Sequence, residues 1–337
     1  MTLRPQTRGV PQPSKSSGRF DFTLAGDTNL DILLYGLPES LPTEQELLAD
    51  AIAIRVGGSG AITSHNLAAL GNSVGFVTTV TTDEFGNLCQ EELRRAGVDL
   101  TRCIPVTEAP SGVTVVLQHA RLRHMLTYPG ATFHLSFKDL DLDYLADARH
   151  FHMSSYYLQR ALTAEIPRLF AILKQAGLTI SLDPNDDPTQ QWDRGILEAL
   201  QFVDVLMPNE RETCLIAAEP DLDRAIAILR ELVPVLVVKR GVNGASAYCG
   251  RDAWHAASRP VAVVDALGAG DSFNAGFLHG FLRNWPIDQA LAYGNLIGAW
   301  STTASGGTSA FREPQSRSDL ASAWRSEVEA GNRSSLA

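Results

Sequence analysis

The chain of 337 residues is 45% hydrophobic and 20% charged, with 28 basic against 38 acidic side chains and a formal charge of −10. That is a globular composition rather than a disordered one, and an acidic chain with dispersed arginines lacks the basic face of a nucleic-acid binder. None of the four lysines (Lys15, Lys138, Lys174, Lys239) follows a glycine, so the G-x-x-x-x-G-K-[ST] phosphate loop is absent.

Residues 1–19 hold Arg4, Arg8, Lys15 and Arg19, no acid and three prolines, and are expected to form a disordered tail. They contain no apolar run and so make no secretory signal; an Arg- and Ser-containing transit peptide is the alternative. Apolar runs are strand-sized, well short of the roughly 20 residues that span a bilayer. A cytoplasmic protein without membrane or nucleic-acid partners is the expectation. Cys89, Cys103, Cys214 and Cys249 form no C-x-x-C pair and are read as scattered buried thiols.

From Phe20 onward short apolar runs alternate with segments of helical period. Strands are expected at Phe20–Leu24, Val74–Val80, Ala148–Met153, Thr179–Leu182, Val203–Met207 and Val235–Lys239. Helices are expected at Ile62–Leu70, Glu84–Ala96, Ala161–Ala176, Gln190–Leu200, Glu210–Ala217 and Leu222–Leu232. This rhythm predicts an α/β fold with a mostly parallel sheet covered by helices on both faces, binding ligands beyond the carboxyl ends of the strands. Two stretches break it: Ile32–Ile54, with a helix expected only at Glu44–Asp50, and Gly112–Pro129, read as an antiparallel pair around a turn with Arg121 and Arg123. Together, over about 32–56 and 112–129, they predict a small β-rich lid on a domain spanning 20–311. Residues 312–337 read as a polar tail with one short helix near Leu320–Val328.

Three glycine clusters are expected at strand-to-helix junctions: Gly57-Gly58-Ser59-Gly60 before the Ile62–Leu70 helix, Gly241-Val242-Asn243-Gly244 after the Val235–Lys239 strand, and Asp265 through Asp271 after Val261–Val264. The last precedes a helix with Phe273, Phe277 and Phe281 on one stripe, so the N–H groups of Gly268, Ala269 and Gly270 point out of a buried helix start and form an anion hole. Asp271 in the first turn suits a base on a hydroxyl while those amides hold a transferred phosphoryl group; read locally, it could equally be an N-cap. Gly268-x-Gly270 lacks the third glycine of a dinucleotide fingerprint, and Ala61 spoils a G-x-S-x-G elbow at Ser59. The histidines follow no metal spacing and are read as structural.

In this order the pieces resemble a ribokinase-like (PfkB-type) carbohydrate kinase along nearly all of 20–310. The strongest match is Asp265-x-x-Gly268-Ala269-Gly270-Asp271-Ser272-Phe273-x-Ala275-Gly276-Phe277. Gly26-Asp27-x-Asn29-x-Asp31, Gly57-Gly58 onward, Asn209-x-x-Glu212 and Lys239-x-Gly241-x-x-Gly244 follow the family's other motifs. The resemblance implies an ATP-dependent sugar kinase with Asp271 as base. Asp31, Gly57 and Gly58 would hold sugar hydroxyls, and Asn66 could replace the asparagine that Ile62 displaces. Asn185, Asn209, Lys239, Gly241, Gly244 and Asn295 would line the ATP site, with Asp183-Pro184-Asn185 similar to a strand-end motif facing the phosphates, and Glu212 would help place Mg2+ through water. Family members often bind a monovalent cation such as K+ near Asp265 and the Gly306-Gly307 turn, although Leu267 departs from the cation-binding pattern. A homodimer through the lid edge is expected. The rivals are a nucleoside kinase of the same fold and a non-catalytic sugar or nucleotide sensor.

Overall fold

A computed structural model describes residues 9–15, 17–119, 122–192, 195–313, 315, 318–320, 322 and 324. Arg121 and the end of the expected C-terminal helix lie outside them. Strand β1 (Phe20–Ala25) opens the main sheet, and the chain then leaves it for β2 (Asn29–Leu37) and β3 (Ala51–Gly57) before helix α1 (Ser59–Ala69) leads back to β4 (Val74–Val77). A short β5 (Thr79–Val80), α2 (Glu84–Ala96) and β6 (Ile104–Pro105) precede β7 (Gly112–His119) and β8 (Leu122–Tyr128). The alternating rhythm resumes with α3 (Leu142–Ala146), β9 (Ala148–Ser154), α4 (Ile166–Gln175), β10 (Thr179–Asp183), α5 (Ile196–Ala199), β11 (Val205–Leu206), α6 (Glu210–Ala217), α7 (Leu222–Arg230) and β12 (Val235–Lys239). The hairpin β13 (Ala245–Cys249) and β14 (Asp252–Ala256), then α8 (Ala269–Leu282) and α9 (Ile287–Ser301), complete it.

The main sheet has eight strands in the order β14-β13-β12-β11-β10-β9-β1-β4, parallel from β12 to β4 with an antiparallel hairpin at one edge. Its strands are apolar on both faces because both are covered, as a parallel sheet requires. In β12, Leu236 and Val238 enter one core with α4 and α7, while Val235 and Val237 enter the other. The second core holds the predicted stripe: Phe273, Phe277 and Phe281 stack along α8 with centroids 6.4 and 6.2 Å apart.

One row of buried polar side chains in this sheet is fully paired. Thr179, His150, Ser181, His152 and Ser154 form one row with successive contacts of 2.7, 2.7, 2.7 and 2.9 Å. Burial holds both imidazoles in their neutral form, with His152 lowered to about 4, and the neighbouring hydroxyls satisfy their ring nitrogens. These two histidines are structural, as expected.

The lid is a four-stranded sheet, β3-β2-β7-β8, in which β2 pairs antiparallel with β3 and parallel with β7. Its period of two separates the faces. Asp31, Leu33 and Tyr35 share the inner face with Ala53, Arg55, Thr114 and Val116; Ile32 and Leu34 share the outer face with Ile52, Ile54, Val115, Leu117 and Leu126.

Several expectations need correction. No helix forms at 44–50, and the chain returns directly into β3; Pro38 and Pro42 punctuate this connection. Residues 261–264 are not a strand, since Val264 and Asp265 donate their N–H groups to Thr302 O rather than to a sheet neighbour. The Gly241–Gly244 turn leads to another strand, not to a helix. The 190–200 helix shrinks to Ile196–Ala199 because Asp187 draws in the N–H groups of Gln191 and Trp192. Cys103 and Cys214 are only partly buried. At the ends, Lys15 reaches Ala146 O at 2.9 Å, Arg312 pairs with buried Glu92, and Trp324 stacks on Trp285.

Candidate active site

The carboxyl ends of β1, β9, β10 and β12 converge on the starts of α1 and α8. Gly58 caps α1 with φ 88°, and an added Cβ there would sit 2.7 Å from Asp27 O, so only glycine fits. Asp27 supplies the cap that Gly58 cannot: its carboxylate accepts the N–H groups of Ser59 and Gly60 at 3.0 and 3.1 Å. Gly57 lies against the Asp31 carboxyl, which occupies the space its side chain would take. Asp31 accepts a 2.9 Å bond from Asn29 Nδ2, and burial pushes its pKa up to about 7. Asp31, Gly57 and Gly58 are thus brought together at the base of the lid.

Gly268 begins α8 in the left-handed region with φ 72°, and no side chain caps this helix. Ala269 N makes only a long 3.4 Å turn contact. Amides in a first turn without partners attract negative charge. Lys239 strengthens that pull, since its Nζ lies 3.6 Å from where a Cβ of Gly270 would be. Its ammonium is tied to Asp183, which also accepts a 2.5 Å bond from Asn274 Nδ2. Burial works against the charged lysine, but Asp183 and Glu212 outweigh it and raise its pKa.

Asp271 lies in the first turn beside these amides and is almost wholly buried. Burial, then the charge of Asp183, push its pKa up to about 7; Lys239 and a hydrogen bond with Ser59 act in the opposite direction. A carboxyl of this pKa can hold or release a proton near neutrality. Ser59 also accepts a 2.5 Å bond from Asn185 Nδ2, which reaches Ser155 as well. Ser59 therefore links α1, the end of β10 and the base candidate, as a hydrogen-bonding group and not as a nucleophile.

Asn209 and Glu212 form a capping box at the start of α6. Both Glu212 oxygens accept from Asn209, at 2.8 Å from N and 2.6 Å from Nδ2, and burial raises the Glu212 pKa to about 7. Each oxygen keeps a second lone pair, enough to orient a metal-bound water. Among the described residues no three acidic, His or Cys side chains converge as a metal cage, so Mg2+ here would take its other ligands from water and phosphate.

Gly241 faces open space beside β12, whereas Gly244 is pressed against Ala256 O. Asn295 donates to Ala256 O and Ala257 O at 2.7 and 3.2 Å, so it pins the end of β14 and shapes this side of the site. Asn66 does not reach the lid: its amide nitrogen donates to Ser272 Oγ and Gly307 O, its oxygen meets His65, and it is fully buried. All its polar atoms are committed to joining α1 to α8, which leaves none for a sugar. Ile62 packs against Gly268 and Gly307 behind the anion hole.

Asp265, near which a monovalent cation was expected, accepts Leu267 N at 3.0 Å on one oxygen and Gly306 N at 3.0 Å plus Tyr35 Oη at 3.1 Å on the other. Three donors therefore engage its carboxylate, Leu267 N alone on one oxygen and two on the other. Sequence reasoning missed Asp27, Ser59 and Asn274 as members of the site, whereas Asp183 was read with Pro184 and Asn185 as a strand-end motif facing the phosphates. The signal for Asp183 was its place at the end of a predicted strand before Pro184-Asn185.

The chain is 32% identical over 276 residues to a fructokinase of Salmonella typhimurium, covering 76% of this chain and 88% of that protein. It is 29% identical over 262 residues to an ATP-dependent ribose-1-phosphate kinase of Halopiger xanaduensis, covering 75% and 82%. A solved structure described as a Ribokinase II from E. coli, in complex with ATP and Mg2+, superposes with a TM-score of 0.79 at 25% identity over 90% of this chain and 99% of that one. Residues 23–314 match the pfkB family of carbohydrate kinases, and the chain belongs to that family.

Proposed function

We propose that this carbohydrate kinase transfers the γ-phosphoryl group of Mg-ATP to a sugar hydroxyl, with Asp271 as the general base. The observation that carries the reading is the placement of a carboxyl of pKa about 7 beside an uncapped helix start that has an ammonium over it. The sugar hydroxyl gives its proton to Asp271. Its oxygen bonds to the γ-phosphorus as the bond to the ADP oxygen breaks, and the charge is held by the amides of Gly268, Ala269 and Gly270 with Lys239 beside them. Asp31, Gly57 and Gly58 support the sugar side. Asn185, Asn209, Lys239 and Gly241 support the phosphate side, with Gly244 and Asn295 shaping it, and Glu212 orients a metal-bound water.

ATP consumption with a panel of ketohexoses, pentoses, sugar acids, sugar phosphates and nucleosides, with and without K+, tests the reading. Asp271→Asn should lower kcat by about 10²–10⁴ on whichever sugar the wild type accepts. Full activity in that variant would sink the mechanism.

The lid also supports a homodimer. Its outer face carries Ile52, Ile54 and Leu126, which are 63%, 44% and 59% exposed, in register with Ile32, Leu34, Val115 and Leu117. A second copy of the same face would cover this apolar surface.

A further inference from the structure

One strand runs from the sugar side of the site to the back of the anion hole. Asp31, near the start of β2, lies against Gly57. Four residues on, and on the same inner face, Tyr35 donates its hydroxyl to Asp265 Oδ2 at 3.1 Å. That carboxylate receives Leu267 N and Gly306 N, so it holds both the loop before α8 and the turn behind it. The turn in turn abuts the anion hole: a Cβ on Gly268 would lie 2.6 Å from Gly307 Cα. The loop is held a second way, since Leu267 packs with Tyr35 against Leu33, Ala53 and Val116, the small core of the lid itself. Arg55, on the neighbouring lid strand, donates to Ser305 O at 3.3 Å in the same turn.

We infer that Tyr35 is a positioning residue for phosphoryl transfer, acting through Asp265 to fix the amides of Gly268–Gly270 when the lid is seated. The lid then does more than cover the sugar. Its inner face supplies part of the wall that aligns the anion hole, so a displaced lid leaves those amides misaligned. Tyr35 touches neither reacting atom. Its loss should therefore slow the transfer step more than it weakens either substrate, because hydrogen-bond donors stabilise developing charge only when held in place. The inference rests on the kinase reading given above.

Tyr35→Phe removes one hydroxyl and keeps the ring in the lid core. In steady-state assays with the sugar that the wild type accepts, kcat should fall about tenfold or more while KM for sugar and for ATP stays within about twofold. An unchanged kcat, or a loss carried entirely by KM, would overturn the inference. Amide hydrogen exchange gives a readout independent of turnover. Peptides covering 265–272 and 302–308 should exchange faster in Tyr35→Phe than in wild type, with α4 and β10 unchanged. Equal exchange in those two peptides would overturn the coupling even if the wild type phosphorylated no sugar tested, a result that would itself count against the kinase reading.

Discussion

Asp271 carries opposite consequences for activity and for stability. Its pKa rises from 3.8 to about 7, so between those values the folded chain binds a proton that the unfolded chain has released. Stability contributed at this position is present below about pH 4 and is lost as pH rises through about 7. Activity runs the other way, because the base must be ionised: kcat/KM should fall on the acid side of about pH 7. Asp271→Asn should therefore be inactive yet melt above wild type at pH 8, with the difference closing at pH 4. A lower melting temperature at pH 8 would contradict burial as the main cause of the shift. Asp31 and Glu212, also raised to about 7, act in the same direction. Ser181 makes a second test at this scale. It stands between His150 and His152 at 2.7 Å from each, so Ser181→Ala leaves two buried ring nitrogens without partners. It should cost about 1–3 kcal/mol in urea unfolding while leaving KM for ATP unchanged. The sequence marked Asp271, Gly268 and Lys239 because each sits in a local motif. Ser59 and Asn274 escaped because their partners, Asn185 and Asp183, are more than 90 residues away in the chain.

At the scale of elements, the seam between α1 and α8 determines how accurately the site is built. Gly268 has φ 72° and meets Gly307 and Ile62 from behind. Gly268→Ala would add left-handed strain of roughly 1–2 kcal/mol and push the loop away from Gly307. Its kcat should fall by at least about tenfold, measured against a far smaller change in melting temperature than a core cavity produces. Wild-type kcat in that variant would mean that the loop position does not matter. The helices and main strands were legible because period and burial agree there: α2 runs over Glu84–Ala96 as expected, capped by Asp83 and ended by Gly97 in the left-handed region. The 44–50 segment misled because its spacing of Leu47 and Leu48 among acids mimics a helix, whereas the chain needs those residues to bridge two antiparallel strands. Strands β13 and β14 were missed because their short runs, Ala245–Cys249 and Asp252–Ala256, are weakly apolar and stand at the sheet edge.

At the scale of the whole molecule, the expected architecture holds: a mostly parallel sheet, helices on both faces and a β-rich lid. What the sequence could not reveal is how the lid divides its two faces, because that depends on the register of four strands drawn from two distant segments. The dimer prediction belongs here. Leu126→Lys with Ile54→Lys should yield a monomer by light scattering where wild type gives a dimer; wild type already monomeric at the working concentration would dismiss this face as an interface.

The core shared by β1 and α8 has a consequence for the order in which the chain can fold as it is made. Phe22 and Leu24 of β1 and Phe76 of β4 share a core with Phe273, Phe277 and Phe281, which lie about two hundred or more residues later. A chain emerging from the ribosome must therefore carry this greasy face only partly covered, by α1 and α2, until α8 follows. Asp27 and Asp31 are made more than two hundred residues before Asp271 and the Gly306-Gly307 turn. The anion hole and the sugar side thus become one site only after α8 and that turn have emerged, and chains that stall before α8 are the ones most exposed to aggregation and to chaperones.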